Sequence, residues 1–211
     1  PLSGLSQLTK LNLANTLVSD ISPLSGLTNL SWLDLWNDQV EDITPLSDLT
    51  NLTELHLENN NIGDGDLSPL AKLPRLETLR LGGNQIKNLQ AFSAFTNLKN
   101  LMLGNNQITN LSSLKNLKNL IRLELQDNQI ADVGPLSGLT NLEVLHVSGN
   151  QIVDVSPLSG MINLRELMLQ KNQIKDLSSL SNLNIKWRLY ANDNLITDIS
   201  FLIENEISKE L

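Results

Sequence analysis

Apolar residues recur along this chain at a fixed interval. Written in rows of 22 beginning at Leu8, the rows start at Leu8, Leu30, Leu52, Leu76, Leu98, Leu120, Leu142, Leu164 and Lys186. Only the third row is longer, at 24 residues, with its extra pair inside Gly63-Asp64-Gly65-Asp66. Positions 1, 4, 6, 11, 14, 17 and 20 are apolar throughout the first eight rows, and the ninth departs only at Lys186 and Asn205. Nine copies of LxxLxLxxNxIxDIxPLxxLxx therefore make up a single repeat domain over 1–211. A partial repeat at 1–7 precedes them, with Pro1-Leu2-Ser3-Gly4-Leu5 reading as positions 16 to 20 of an earlier row. Because the chain begins in mid-repeat, it is expected to be a fragment of a longer one.

Each row predicts the same three pieces. The LxLxx alternation has the period of a strand and turns two leucines inward. The Asn at position 9 (Asn60, Asn84, Asn106, Asn128, Asn150, Asn172 and Asn194) carries two donors and an acceptor. That is enough to satisfy turn backbone groups otherwise buried unpaired. Segments such as DISPL then place Ser and Pro at the first turn of a tight helix, where a missing N–H does no harm. One row cannot bury its own apolar face, so the rows must stack into a solenoid around a continuous leucine core. Thr16 and Asp38 interrupt the position-9 series. An ionised Asp has no donor, so the first two rows are expected to be looser or to recruit neighbouring donors. At the other end, Ile203, Ile207 and Leu211 recur at i, i+4 and i+8, which predicts a capping helix over 201–211.

Rows such as LTNLEVLHVSGNQIVDVSPLSG (Leu139 to Gly160) resemble leucine-rich repeats, and among them the 22-residue bacterial class of the internalin family. The resemblance covers essentially the whole chain. It implies a leucine-rich repeat solenoid of the horseshoe type, curved and right-handed, with a parallel β-sheet on the concave face and 3-10 turns on the convex face. It also implies a secreted or bacterial cell-surface protein that binds another protein in its concavity, such as a host or cell-surface protein. The cytosolic regulatory subunit of protein phosphatase 1 shares the period and supplies a cytoplasmic alternative. The DIxPLxxLTN phrase at Asp20 to Asn29 and Asp42 to Asn51 leans towards the bacterial class.

Composition narrows the chemistry. Fifteen Lys and Arg against 23 Asp and Glu give a net charge of −8, so nothing draws the chain as a whole to nucleic acid or anionic lipid. There is no cysteine for a disulfide or thiol site, and no apolar run approaches the length of a membrane span. No GxxxxGKS/T, GxGxxG or HExxH motif is present. No catalytic residue, cofactor or metal is expected, and no apolar strip demands a dimer, so a monomer is the expectation.

Function must then lie at variable strand positions 2, 3, 5, 7 and 8, of which 3, 5 and 7 face the concavity. Trp32 and Trp36 stand there in row 2, with Asp34 between them and Glu54, His56 and Glu58 in row 3. Trp is strongly enriched at binding hot spots, and packing does not explain an outward Trp on a polar sheet. An aromatic centre ringed by carboxylates predicts a basic or mixed protein surface as partner. Arg80, Met102, Arg122, His146, Met168, Arg188 and Tyr190 extend the candidate face towards the C-terminus. The Glu54-x-His56-x-Glu58 alternation is read as a solvated face, because same-face strand residues lie roughly 6.7 Å apart, awkward for one ion.

Overall fold

The computed structural model describes residues 4–200; the capping helix expected over 201–211 lies outside them. Each row contributes one three-residue strand: β1 (Lys10–Asn12), β2 (Trp32–Asp34), β3 (Glu54–His56), β4 (Thr78–Arg80), β5 (Asn100–Met102), β6 (Arg122–Glu124), β7 (Val144–His146), β8 (Glu166–Met168) and β9 (Arg188–Tyr190). These are positions 3 to 5 of the row. All pair parallel, in sequence order, with like positions in register: Leu33 lies opposite Leu55, and Leu123 opposite Leu145. Strands this short persist because each is held by its neighbours and buries its central leucine. Short 3-10 turns such as Ser22–Leu24, Gly134–Leu136 and Ser156–Leu158 return the chain on the opposite side; the first and last start with the predicted Ser-Pro, and the second with Gly-Pro.

Between the two layers lies one continuous core. Positions 1, 4 and 6 supply Leu52, Leu55 and Leu57 in row 3, all fully buried, and positions 11 to 20 supply residues such as Ile130, Val133, Leu136 and Leu139 in row 6. Each such side chain contributes roughly 1.5–3 kcal/mol on removal from water. Row 4 replaces two of these aliphatics with Phe92 and Phe95, whose rings meet edge to face at 5.0 Å.

Burying that core also buries turn backbone, and the position-9 Asn satisfies it. In row 6, Asn128 Nδ2 donates to Leu125 O (3.1 Å) and Gln126 O (3.3 Å) of its own turn and to Leu103 O of the preceding row (3.0 Å). Its Oδ1 accepts from Ile108 N, also one row back, at 2.9 Å. The same arrangement recurs from Asn60 to Asn194. At the first two rows, neighbouring donors are recruited. Asp38 Oδ1 accepts from Thr16 N (2.7 Å) and Val18 N (3.3 Å), while Thr16 Oγ1 donates to Leu13 O (2.7 Å). The other Asp38 oxygen, where Asn would carry its donors, is buried without a partner.

The structure adds two regularities to those expected. Position 8 is not a free surface position. Its backbone is left-handed in all nine rows, from φ 54° at Asn59 to 71° at Gly83. Gly, Asn and Asp tolerate that conformation best, and Lys171 is the one residue there outside the set. Position 22 carries a second amide ladder. Asn97, Asn119, Asn141 and Asn163 each donate Nδ2 to a carbonyl 23 residues earlier, at 2.8–2.9 Å.

At position 13, each Asp turns back on the start of the 3-10 turn. Asp154 Oδ1 accepts from Ser156 N (2.8 Å), and Asn88 and Asn110 make the same bond at 2.8 Å. Hydrogen bonds from the hydroxyl and the backbone N–H of the Ser or Thr two residues on hold the carboxyls of Asp20, Asp42, Asp66, Asp154, Asp176 and Asp198 below their ordinary range.

Both ladders can be probed by substitution. Asp38→Asn supplies the missing donors and should raise stability by about 1 kcal/mol, whereas Asn128→Asp should lower it by roughly 1–3 kcal/mol. Denaturant midpoints check both, and a destabilised Asp38→Asn protein would contradict the ladder. Because the position-13 carboxyls titrate lower in the folded state than in the unfolded one, their contribution is complete above the usual carboxylate range. It is lost as pH falls through the lowered values. Replacing the six by Asn keeps the bond from the backbone N–H to Oδ1 and removes the titration, so acid unfolding monitored by circular dichroism should shift to lower pH.

Candidate functional site

The alternation that buries position 4 turns positions 3 and 5 outward, so the sheet presents two parallel lines of side chains with a third at position 7. Trp32, Asp34, Glu54 and His56 meet there. The Trp32 ring stands edge-on to the His56 imidazole, with centroids 5.5 Å apart and planes at 72°. His56 Nε2 lies 2.6 Å from Glu54 Oε1, and its Nδ1 lies 3.7 Å from Asp34 Oδ2. Carboxylates thus flank both ring nitrogens. Asp34 also accepts from Trp36 N at 2.9 Å, which fixes the backbone of the second tryptophan. Trp36 itself is 42% exposed. Of the two rings, it is the one free to be covered by something else.

Beside this cluster, Glu58 faces Arg80, with Oε1 3.7 Å from the guanidinium Nη1. Burial pushes the Glu58 carboxyl up, against the opposing pull of its own backbone N–H, His56 and Arg80. A second cluster forms four rows away. His146 Nε2 lies 2.8 Å from Glu166 Oε1 and its Nδ1 3.9 Å from Glu124, which in turn holds Arg122 Nε at 2.6 Å. The row register already sets Glu124 beside His146, whereas Glu166 reaches the imidazole diagonally from the next strand and is absent from the candidate residues of the sequence. The two histidines stay in separate clusters. Met102 and Met168 sit half-buried on the sheet, and Arg188 and Tyr190 are exposed in the last strand. Trp187 lies off the concave face, with the Arg165 guanidinium 5.4 Å above its ring.

No group of three or more His, Asp or Glu among the described residues is arranged to hold a metal ion. No helix among them is long and apolar enough to cross a membrane. A groove of about 830 Å³ lies along the flank where each row enters the sheet, lined by Glu77, Lys99, Ile121, Glu143 and the position-22 amides. The concave face is a shallow surface of paired charges with aromatic and thioether side chains set among them. Such a surface suits a protein partner better than a small molecule, which needs a cleft that encloses it.

Since burial raises the Glu58 carboxyl, ionising it costs the folded state relative to the unfolded one. The cost is absent below the ordinary glutamate range and grows as pH rises through it. Glu58→Gln should therefore be more favourable, relative to wild type, at pH 7 than at pH 4. Thermal midpoints of both proteins at the two pH values test this. An effect of equal size at both would remove burial as the cause.

Comparison with known proteins agrees with this architecture. The family model for Leucine Rich repeats (2 copies) matches residues 6–48, 28–72, 50–94, 74–116, 96–138, 118–160 and 140–182. Internalin inlF from Listeria monocytogenes superposes with a TM-score of 0.90 at 36% identity, over 97% of this chain and 60% of that one. Internalin inlC2 from the same organism gives a TM-score of 0.82 at 38% identity, over 92% of this chain and 81% of that one. The plant peptide hormone receptor RGFR1, solved in complex with RGF2, shares the fold with a TM-score of 0.76 at 23% identity, over 92% of this chain and 34% of that one. No curated protein matches at comparable stringency. The chain spans 60% of the inlF structure, less than two thirds of its length. With its 22-residue rows, single parallel sheet and 3-10 returns, it belongs to the leucine-rich repeat proteins, in the bacterial internalin-like class.

Proposed function

We propose that this chain is the recognition module of a secreted or surface-displayed bacterial protein, and that it binds a protein partner in its concavity without catalysis. One observation carries the reading: Trp36 stands exposed on a sheet whose other outward residues are mostly polar or charged. A large ring left in water at such a place supports a role as anchor, with Trp32 steadied beside it by His56. Asp34, Glu54 and Glu58 give this end an acidic rim that favours approach of a basic or mixed surface. Arg80, Met102, Arg122, His146, Met168, Arg188 and Tyr190 continue the proposed face. From row 2 to row 9 it extends about 33 Å at the usual strand spacing, room for a small domain. The internalin resemblance supports a location outside the bacterial cell.

Affinity capture from cell-surface extracts, with wild type beside Trp32→Ala/Trp36→Ala, tests the assignment. A protein held by wild type should be lost by the double variant, at a cost of at least about 2 kcal/mol in measured affinity. Equal capture by both would move the site away from row 2, and no capture by either would count against a binding module.

A further inference from the structure

Position 2, just before each strand, carries a line of side chains along the flank of the sheet, beside the concave face. From row 4 to row 8 these are Glu77, Lys99, Ile121, Glu143 and Arg165. Ile121, in the middle, is 40% exposed. Neighbouring charges pair within the chain: Lys99 Nζ lies 2.8 Å from Glu77 Oε2, and Arg165 Nε 3.6 Å from Glu143 Oε2. All four remain one-third to one-half exposed, leaving them able to meet opposite charges from outside.

The order of signs is negative, positive, apolar, negative, positive. Reversed, it is complementary to itself. A two-fold axis through Ile121 sets Ile121 against its counterpart, Lys99 opposite Glu143 and Glu77 opposite Arg165, each charged pair occurring twice. We propose that this flank joins two copies of the chain, antiparallel, in an isologous dimer. The position-22 amides obey the same symmetry. Asn119 directly precedes row 6 and faces itself, while Asn97 faces Asn141. Each amide gives one N–H to a backbone carbonyl and so is held in a fixed orientation. A carboxamide carries a further N–H and an acceptor, which makes it complementary to another carboxamide.

Spacing favours a second copy over other occupants. Both partners repeat at about 4.8 Å, so the register holds along all five rows. An extended peptide presents same-face side chains at roughly 6.7 Å and would lose register within two rows. Five rows make a narrow strip, well below the roughly 800 Å² per partner of a standard interface. The dimer is accordingly weak, and it is strongest at low ionic strength. It leaves the concave sheets open and departs from the monomer expected from the sequence. It stands independently of the concave-face reading.

Charge reversal gives a sharp test by sedimentation equilibrium at low salt. Wild type should dimerise with rising concentration. Lys99→Glu alone sets carboxylate against carboxylate at both contacts with Glu143. Glu143→Lys alone sets ammonium against ammonium at both contacts with Lys99. Each should weaken association about tenfold or more. An equimolar mixture of the two variants restores opposite charges at both contacts, so mixed dimers should form at wild-type strength. Recovery on mixing also shows that both variants fold. A wild type that stays monomeric throughout, reversals that dimerise unchanged, or a mixture that fails to recover would each overturn the proposal.

Discussion

The structure depends on one side-chain amide in each row from the third to the ninth. Stacking the rows removes their turns from water, and a buried carbonyl or N–H without a partner costs roughly 1–3 kcal/mol. At position 9, an Asn meets three carbonyls with its two N–H bonds and receives the position-11 N–H of the preceding row. No other residue of its size offers donors and an acceptor in that arrangement. Since two of the four bonds cross to the adjacent row, the same amide that closes a turn also fixes the distance and register to its neighbour. The leucines supply the driving force, and the amides determine how the rows align.

The strand positions can vary because the amides and leucines fix everything around them. Positions 3 and 5 of each strand face the concavity, and the parallel register brings like positions together, so adjacent rows form lines of paired charges. The two histidines show the consequence: each sits between carboxylates drawn from its own or a neighbouring strand. Trp36 has no such partner for its ring among the described residues and stays exposed, and this is the reason to place the proposed anchor in row 2.

Much of this is legible in the residues alone. The 22-residue period specifies a strand, a return and a core, because burial of positions 1, 4, 6, 11, 14, 17 and 20 admits no other arrangement of rows. The role of position 9 is legible because amide chemistry is local. The rest depends on geometry that residue type does not reveal. Position 8 varies in sequence, yet its left-handed backbone is common to Asn15, Gly83, Asp127 and Lys171. The Asn that ends many rows gives no sign, as a residue type, that it forms a second ladder with a carbonyl of the row before. The diagonal contact of Glu166 to His146 needs a rotamer reaching across from the adjacent strand.

Hydrogen exchange at the position-11 amides tests the ladder most directly. Ile86, Ile108, Ile130, Ile152 and Ile174 N–H groups lie just beyond the turns and donate to Asn Oδ1 at 2.9–3.0 Å, not to backbone. If the amides hold the rows together, these protons exchange as slowly as those of the strand leucines, by the same cooperative opening. Val18 N, 3.3 Å from Asp38 Oδ1, exchanges faster. Position-11 amides that exchanged at ordinary loop rates while the strands stayed protected would contradict the account.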